Sequence, residues 1–388
     1  MFEKDFFDKN RKKVADMMEP GSIALFFSGV NVRKSGDVFY PFFANRNFYY
    51  LTGINESEDI LVIQKDYEGD IKEYFFVKQV SQETERWFGR RLTEDNIYKI
   101  SGLSITGYRD DFSVWIITIL QNNQYTLYLD YFYYDERYEY SEVYSFFDNI
   151  KKRLPWLKIS DIHSIMCKIR TIKEDEEIQE MRDGISICRN AFIRLMTEAR
   201  VGMTEYQLKA LWDYEVASKG VRDMAFQPII TSGENNFIIH YSDYTRTIVP
   251  GDVILCDTGV NWNGVCCDIS RAWPIDDWFT NKQELFYRCM LACSKELFQF
   301  VKPGRAMKDI YKEQRHIMRR KIVEFGIASN EEDANKLIWH GGAHHIGFDN
   351  HDEVYIENHA YDLIKKNMVF AIDIGIYDVE NNIGFRLE

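Results

Sequence analysis

Short apolar runs separated by turn residues fill the first third of the chain, and helical spacing of apolar positions takes over past the middle. From about residue 23 to residue 134 the runs IALFFSGV, ILVIQ, YFFVKQV and YTLYLDYF alternate with turn signals and a few helical stretches. This predicts a mixed α/β domain. Residues 149–173 turn basic and then charged (IKKRLPWLK, RTIKEDEE), and are expected to form a linker leading into a helix. Over residues 174–199, Ile178, Met181, Ile185, Cys188, Phe192 and Leu195 recur at the spacing of one helix face. Thr204 followed by Gln207 reads as a capping box opening a second helix. Strand-like runs are expected at 227–231, 246–256 and 265–271, a further helical stretch after Lys302-Pro303-Gly304, and apolar runs at 368–377 and 383–387.

A chain of 388 residues exceeds the size at which one core stops growing. The predicted division is an N-terminal domain over residues 1–165 and a C-terminal domain over 166–388, of α/β (α+β) class. The approaches to two helix starts, Val201-Gly202-Met203 and Val301-Lys302-Pro303-Gly304, hint at an internal duplication, without a solenoid period. Hydrophobic residues make up 45%, enough for packed cores, yet no window approaches the roughly 18 uninterrupted apolar residues of a membrane span. A formal charge of -13 argues against binding phosphate backbones, so nucleic acid is not an expected partner. The start, MFEKDFFDKN, lacks a basic region followed by an apolar stretch, and a cytoplasmic location is expected. Seven cysteines fall between Cys167 and Cys293 with no CxxC pair and are read as buried thiols.

Histidines are distributed unevenly: none precedes His163, whereas His340, His344, His345, His351 and His359 fall within twenty residues. Chemistry is therefore expected in the second half. In VILCDTGVNWNGVCCDISRAWP two strand-like runs flank Asn263-Gly264, a strong hairpin signal. With the turn centred there, Asp268 opposes Gly259 and Asp257 is its diagonal neighbour; a shift of one residue sets the two aspartates directly opposite. Either register puts both carboxylates on one face, about 5 to 8 Å apart. Buried together they repel and are costly unless cations lie between them. Four histidines in a glycine-rich stretch, WHGGAHHIGFDNHD, offer neutral imidazole ligands or donors. MVFAIDIGIY and IGFRLE each place one acid, Asp373 and Glu388, within an apolar run. Asp257, Asp268, His344, Asp373 and Glu388 together could neutralise two divalent ions, and oxygen-rich ligation suits manganese-type ions. Two such ions can hold a bridging hydroxide and polarise a carbonyl, which is the chemistry of amide hydrolysis.

On these motifs the chain resembles the pita-bread metallopeptidases, and among them aminopeptidase P. RTIKEDEEIQEMR is similar to the first helix of the family's catalytic domain, SGENNFIIHY to its segment carrying a substrate-side histidine, and HGGAHHIGFDNHD and GFRLE to its remaining signatures. ANRNFYYLTGINES and ETERWFGRR resemble the aminopeptidase P N-terminal domain. The resemblance implies that Asp257 binds one metal, that Asp268 and Glu388 bridge both, and that His344 and Asp373 complete one shell. It further implies that a bridging hydroxide attacks the carbonyl before proline, and that His240 and His351 contact substrate and the oxyanion. His340 would sit nearby, and Arg386 would orient an acidic ligand. Peptides with proline at the second position are the implied substrates, and a homo-oligomer the implied assembly.

Two departures stand out. The family's fourth ligand is normally glutamate followed by proline, whereas here Asp373 precedes Ile374; the chain also stops at Glu388, where the family normally continues for another strand, so the C-terminal domain is expected to be cut short. A prolidase restricted to dipeptides, a creatinase-like hydrolase and a non-catalytic peptide-binding module are the alternative readings.

Overall fold

The computed structural model of the chain describes residues 2–131, 142–352 and 363–388; positions 132–134 of the N-terminal run and His359 lie outside the described residues. Its contacts separate into two units, Met1–Ile169 and Arg170–Glu388.

In the first unit the predicted runs become strands of a six-stranded sheet. Ser22–Phe27, all buried, pairs antiparallel with Ile60–Lys65 and parallel with Thr126–Leu129. Continuous burial along a strand is what an apolar run covered on both faces produces. Ile71–Val77 and Ile105–Tyr108 extend the sheet on one side, and Ile159–Asp161 closes the other. This last strand corrects the linker expectation for residues 149–173. That stretch holds the end of the helix Glu142–Arg153, the strand and the helix His163–Thr171. Lys152, Arg153 and Lys158 are exposed, while Ile150, Leu154 and Leu157 complete the core beneath them. The charges mark a solvated face of ordered structure.

The second unit carries two three-stranded antiparallel sheets that bear on function. In one, Val253–Thr258 lies between Ile229–Ser232 and Ile269–Pro274. In the other, Phe370–Asp378 lies between Gly342–His345 and Ile383–Leu387. They meet where the Glu388 N–H donates to the Ser270 carbonyl at 3.3 Å. The helices Asp175–Glu198 and Glu205–Ser218 form as predicted, the latter with the Thr204/Gln207 capping box in place. A helix the apolar pattern left unassigned, Asn281–Phe300, has its own capping box at Thr280 and Gln283. Its Phe286, Met290 and Leu297 pack with Ile317 and Met318 of Met307–Glu324 and with Phe385 of the second sheet. The run expected to be strand over 246–256 pairs as strand only from Val253. Before it, the Asp252 carboxylate accepts from the Arg246 guanidinium and from the Val249 N–H, which turns residues 246–252 into a loop.

The hairpin settles the position of the two aspartates. Trp262 pairs with Val265 and Asn261 with Cys266, leaving Asn263 (φ 51°) and Gly264 (φ 95°) as the turn, as a type I′ turn requires. The register continues through Thr258 opposite Ile269 and Asp257 opposite Ser270. Asp268 thus falls opposite Gly259 and diagonal to Asp257. At Gly259 the partner strand approaches so closely that an added Cβ would lie 1.8 Å from the Cys267 carbonyl oxygen. Gly259→Ala is expected to destabilise the fold by about 3 kcal/mol or more, the upper end of overpacking costs. Gly342→Ala, where an added Cβ meets nothing within 4 Å, should change stability by less than about 1 kcal/mol. Denaturant unfolding of both variants checks the contrast.

Candidate metal centre

The two sheets of the second unit line a cavity of about 550 Å³. Asp257, Asp268, His344, Asp373 and Glu388 all face it, and so do His240, His340, His351 and Arg386. Hairpin pairing supplies the first two carboxylates. His344 stands on Gly342–His345, Asp373 on the neighbouring strand opposite Gly342, and Glu388 directly follows Ile383–Leu387.

Asp268, His344 and Glu388 form the tightest group, with one potential ligand atom from each lying within 4.8 Å of the others. His344 Nε2 is 3.6 Å from Asp268 Oδ2 and 3.9 Å from Glu388 Oε1. Its Nδ1 lies 3.1 Å from the His345 carbonyl, which as an acceptor fixes the proton on Nδ1. The Nε2 lone pair is then left for the carboxylate side. Glu388 Oε2 accepts from the Ser270 hydroxyl at 3.2 Å, and its main-chain oxygen accepts from Arg271 Nη1 at 2.5 Å.

Asp257 and Asp373 stand outside this group, each held from behind. Arg386 Nη1 donates to Asp257 Oδ2. Arg386 Nη2 also donates to the Ile239 carbonyl at 3.1 Å, and Nε to the Tyr377 hydroxyl at 3.3 Å. The Tyr377 hydroxyl is 2.6 Å from His340 Nε2, and His340 Nδ1 is 3.1 Å from Asp373 Oδ2. Burial, with the Arg386 charge nearby, lowers the His340 pKa to about 4. The imidazole is therefore neutral, linking Asp373 through Nδ1 to Tyr377 through Nε2.

On the substrate side, the His351 ring stacks on His344 with centroids 4.0 Å apart and planes 7° from parallel, and burial lowers its pKa to about 4. His240 lies in an exposed stretch before Tyr241. Glu205, fully buried, holds that stretch by accepting from the Ser232 N–H and hydroxyl and from the Tyr241 hydroxyl, each at 2.8 Å.

The donor set fits divalent cations on electrostatic grounds. Asp257 Oδ1, Asp268 Oδ1, Asp373 Oδ1 and Glu388 Oε1 are all buried with no hydrogen-bond partner among the described residues. Burial, reinforced by the Asp257 charge, raises the Asp268 pKa to about 7, and burial likewise holds Asp373 and Glu388 well above the carboxylate range. These acids resist ionising together. Metal ions would supply both the missing positive charge and partners for the orphaned oxygens.

Comparison with known proteins accords with this chemistry. The description of metallopeptidase family M24 matches residues 179–388. The chain belongs to this family. The aminopeptidase P N-terminal domain matches residues 7–128. The Xaa-Pro aminopeptidase of Escherichia coli strain K12 is 28% identical over 406 residues, spanning 98% of this chain and 90% of that protein. The low-pH form of E. coli aminopeptidase P superposes with a TM-score of 0.89 at 25% identity, covering 100% of this chain and 92% of that one. The same enzyme with the inhibitor Pro-Leu gives 0.87 at 27% identity, with the same coverage. Among the described residues of this M24 member, no helix is long and apolar enough to cross a membrane.

Sequence reasoning assigned no role to Ser270, Tyr377, Glu205 or Asn350, which hold ligands or the substrate-side segment. None carries a motif of its own. Asn350 lies inside the quoted HGGAHHIGFDNHD stretch but is marked there only by its neighbours.

The raised pKa of Asp268 fixes the sign of a pH effect. An acid whose folded pKa exceeds its unfolded value contributes stability below the unfolded pKa and loses it as pH rises through the folded one. Chelator-treated protein is expected to lose stability between about pH 4 and pH 7, and Asp268→Asn to lose less over that window. Denaturant titrations across the pH range measure the difference.

Proposed function

We propose that this chain is a metal-dependent aminopeptidase that removes the N-terminal residue from peptides whose second residue is proline. Residues 1–165 form its N-terminal domain and 166–388 its catalytic domain. Two divalent ions, manganese in this reading, are held by Asp257, Asp268, His344, Asp373 and Glu388. The supporting observation is the gathering of four carboxylates and His344 on one cavity, each carboxylate with a buried oxygen that lacks a donor. The substrate class rests on the likeness to Xaa-Pro aminopeptidases along nearly the whole chain, and an all-oxygen set with one imidazole suits manganese. Cytoplasmic residence and a homo-oligomer complete the proposal by analogy with the family.

Such ions, when bound, lower the pKa of water and polarise the scissile carbonyl. The protein's own residues do the rest. Arg386 and His340 hold Asp257 and Asp373 from behind, so these side chains cannot swing out of the cavity. His351, neutral at physiological pH, offers an N–H to the carbonyl oxygen as negative charge develops there, the role of a preorganised oxyanion donor. His240 offers a second from the segment that Glu205 fixes. The aromatic and aliphatic wall formed by Phe226, Ile229 and Ile239 gives a proline ring an apolar surface.

Protein stripped with chelator and reloaded with Mn²⁺ is expected to cleave an Xaa-Pro-Xaa tripeptide; absence of turnover with metal shown bound by elemental analysis refutes the proposal. Preference for the Xaa-Pro dipeptide would identify a prolidase instead. His351→Ala should lower kcat by about 10²- to 10³-fold, the usual cost of an oxyanion donor, with KM changed far less.

A further inference from the structure

One side chain lining the cavity has been given no part in the ligand set or the substrate contacts. Asn350 Nδ2 donates to Asp268 Oδ2 at 3.0 Å, while Asp268 Oδ1 is left buried without a donor. Because the carboxylate only accepts, the amide must present its NH₂ group there. Asn350 thus contacts one of the three members of the tightest ligand group directly.

Asn350 is held with unusual firmness. The loop at 347–352 is tied at one end by the Cys266 N–H donating to the Gly347 carbonyl at 2.7 Å, and at the other by the Asp352 N–H donating to the His345 carbonyl at 2.8 Å. Two buried cations grip it from below. Arg170 pairs with Asp349 at 2.8 Å and with Asp352, and Lys173 pairs with Asp352. Lys173 Nζ also donates to the Arg170 carbonyl at 2.6 Å. Arg170, Lys173 and Asp352 are each at most 1% exposed. Gly347 is required by this clamp, because an added Cβ would lie 2.3 Å from Asp352 Oδ2 and 2.5 Å from Lys173 Nζ. A buried anion matched by two cations costs much to disturb once one partner is lost. The clamp therefore fixes the backbone on both sides of Asn350.

We propose that Asn350, presented by the Arg170–Asp352–Lys173 clamp, is a positioning residue that sets the orientation of the Asp268 carboxylate and so tunes metal affinity. It holds one Asp268 oxygen with a neutral donor, as Ser270 holds one Glu388 oxygen, and leaves the other of each pair to a cation. A neutral donor suits this place, because a cation there would compete with the metal for the carboxylate's charge. The proposal rests on the metal-centre reading above and adds a residue outside its ligand set.

The test compares wild type with Asn350→Leu, which keeps the branched shape at a larger volume but removes the donor, and with Asn350→Ala. Chelator-stripped proteins are first compared by thermal melting, then titrated with Mn²⁺ against a competing chelator, and their Co²⁺ forms are examined by visible absorption. Variants that melt like wild type without metal, bind Mn²⁺ about 10- to 100-fold more weakly, the usual effect of losing an outer partner of a ligand, and show an altered Co²⁺ spectrum support the assignment. Wild-type Mn²⁺ affinity and Co²⁺ spectrum in a folded variant overturn it. Should the leucine variant fail to fold, the alanine variant decides. If wild type itself binds no Mn²⁺ or Co²⁺, the metal-centre reading fails and this inference with it, an outcome separate from the first.

Discussion

Mutual repulsion among Asp257, Asp268, Asp373 and Glu388 is the constraint around which the second unit is built. These carboxylates are brought out of water onto one cavity, where each raises the cost of ionising the next. The protein offsets only part of that cost. Arg386 neutralises at Asp257, His340 remains neutral beside Asp373, and Asn350 and Ser270 offer uncharged donors to Asp268 and Glu388. The remaining deficit of positive charge is what makes the cavity a candidate cation site.

How much of this was legible in the sequence follows from which interactions are local. The aspartate pair could be read because an Asn-Gly turn fixes register over a few residues, and the observed pairing is one of the two expected. The strand at 23–27 was legible as an uninterrupted apolar run, and that at 383–387 as an apolar run broken by Arg386. By contrast, the helix Asn281–Phe300 mixes Cys289, Met290 and Cys293 with charged residues, so its buried face is less obvious than its length. The strand Ile159–Asp161 was hidden because its charged flanks read as a linker, and only the sheet it joins reveals it. The loop at 246–252 depends on Arg246 meeting Asp252, an ion pair that apolar periodicity does not register.

The supporting residues were harder to see for the same reason. Tyr377 and Arg386 lie on adjacent strands and meet only once that sheet has formed. Asp352 finds Arg170 across 182 positions of sequence. Ligands can be guessed from residue type, because few side chains bind metal, whereas almost any polar side chain can support a ligand, so residue type alone says little about that role. Asp373 illustrates the limit in the other direction. Its shortened side chain is plain in the sequence, but its bond to neutral His340 is visible only in three dimensions.

Asp268 directly precedes a strand of one sheet and Glu388 directly follows a strand of the other, and the sheets meet where Glu388 lies against Ser270. A cation shared by these two carboxylates would act as a rivet through a seam. Releasing it and parting the sheets would then be stages of one slow event, so the loaded protein's endurance would be governed by a rate, and a preparation losing metal would age by opening along this seam.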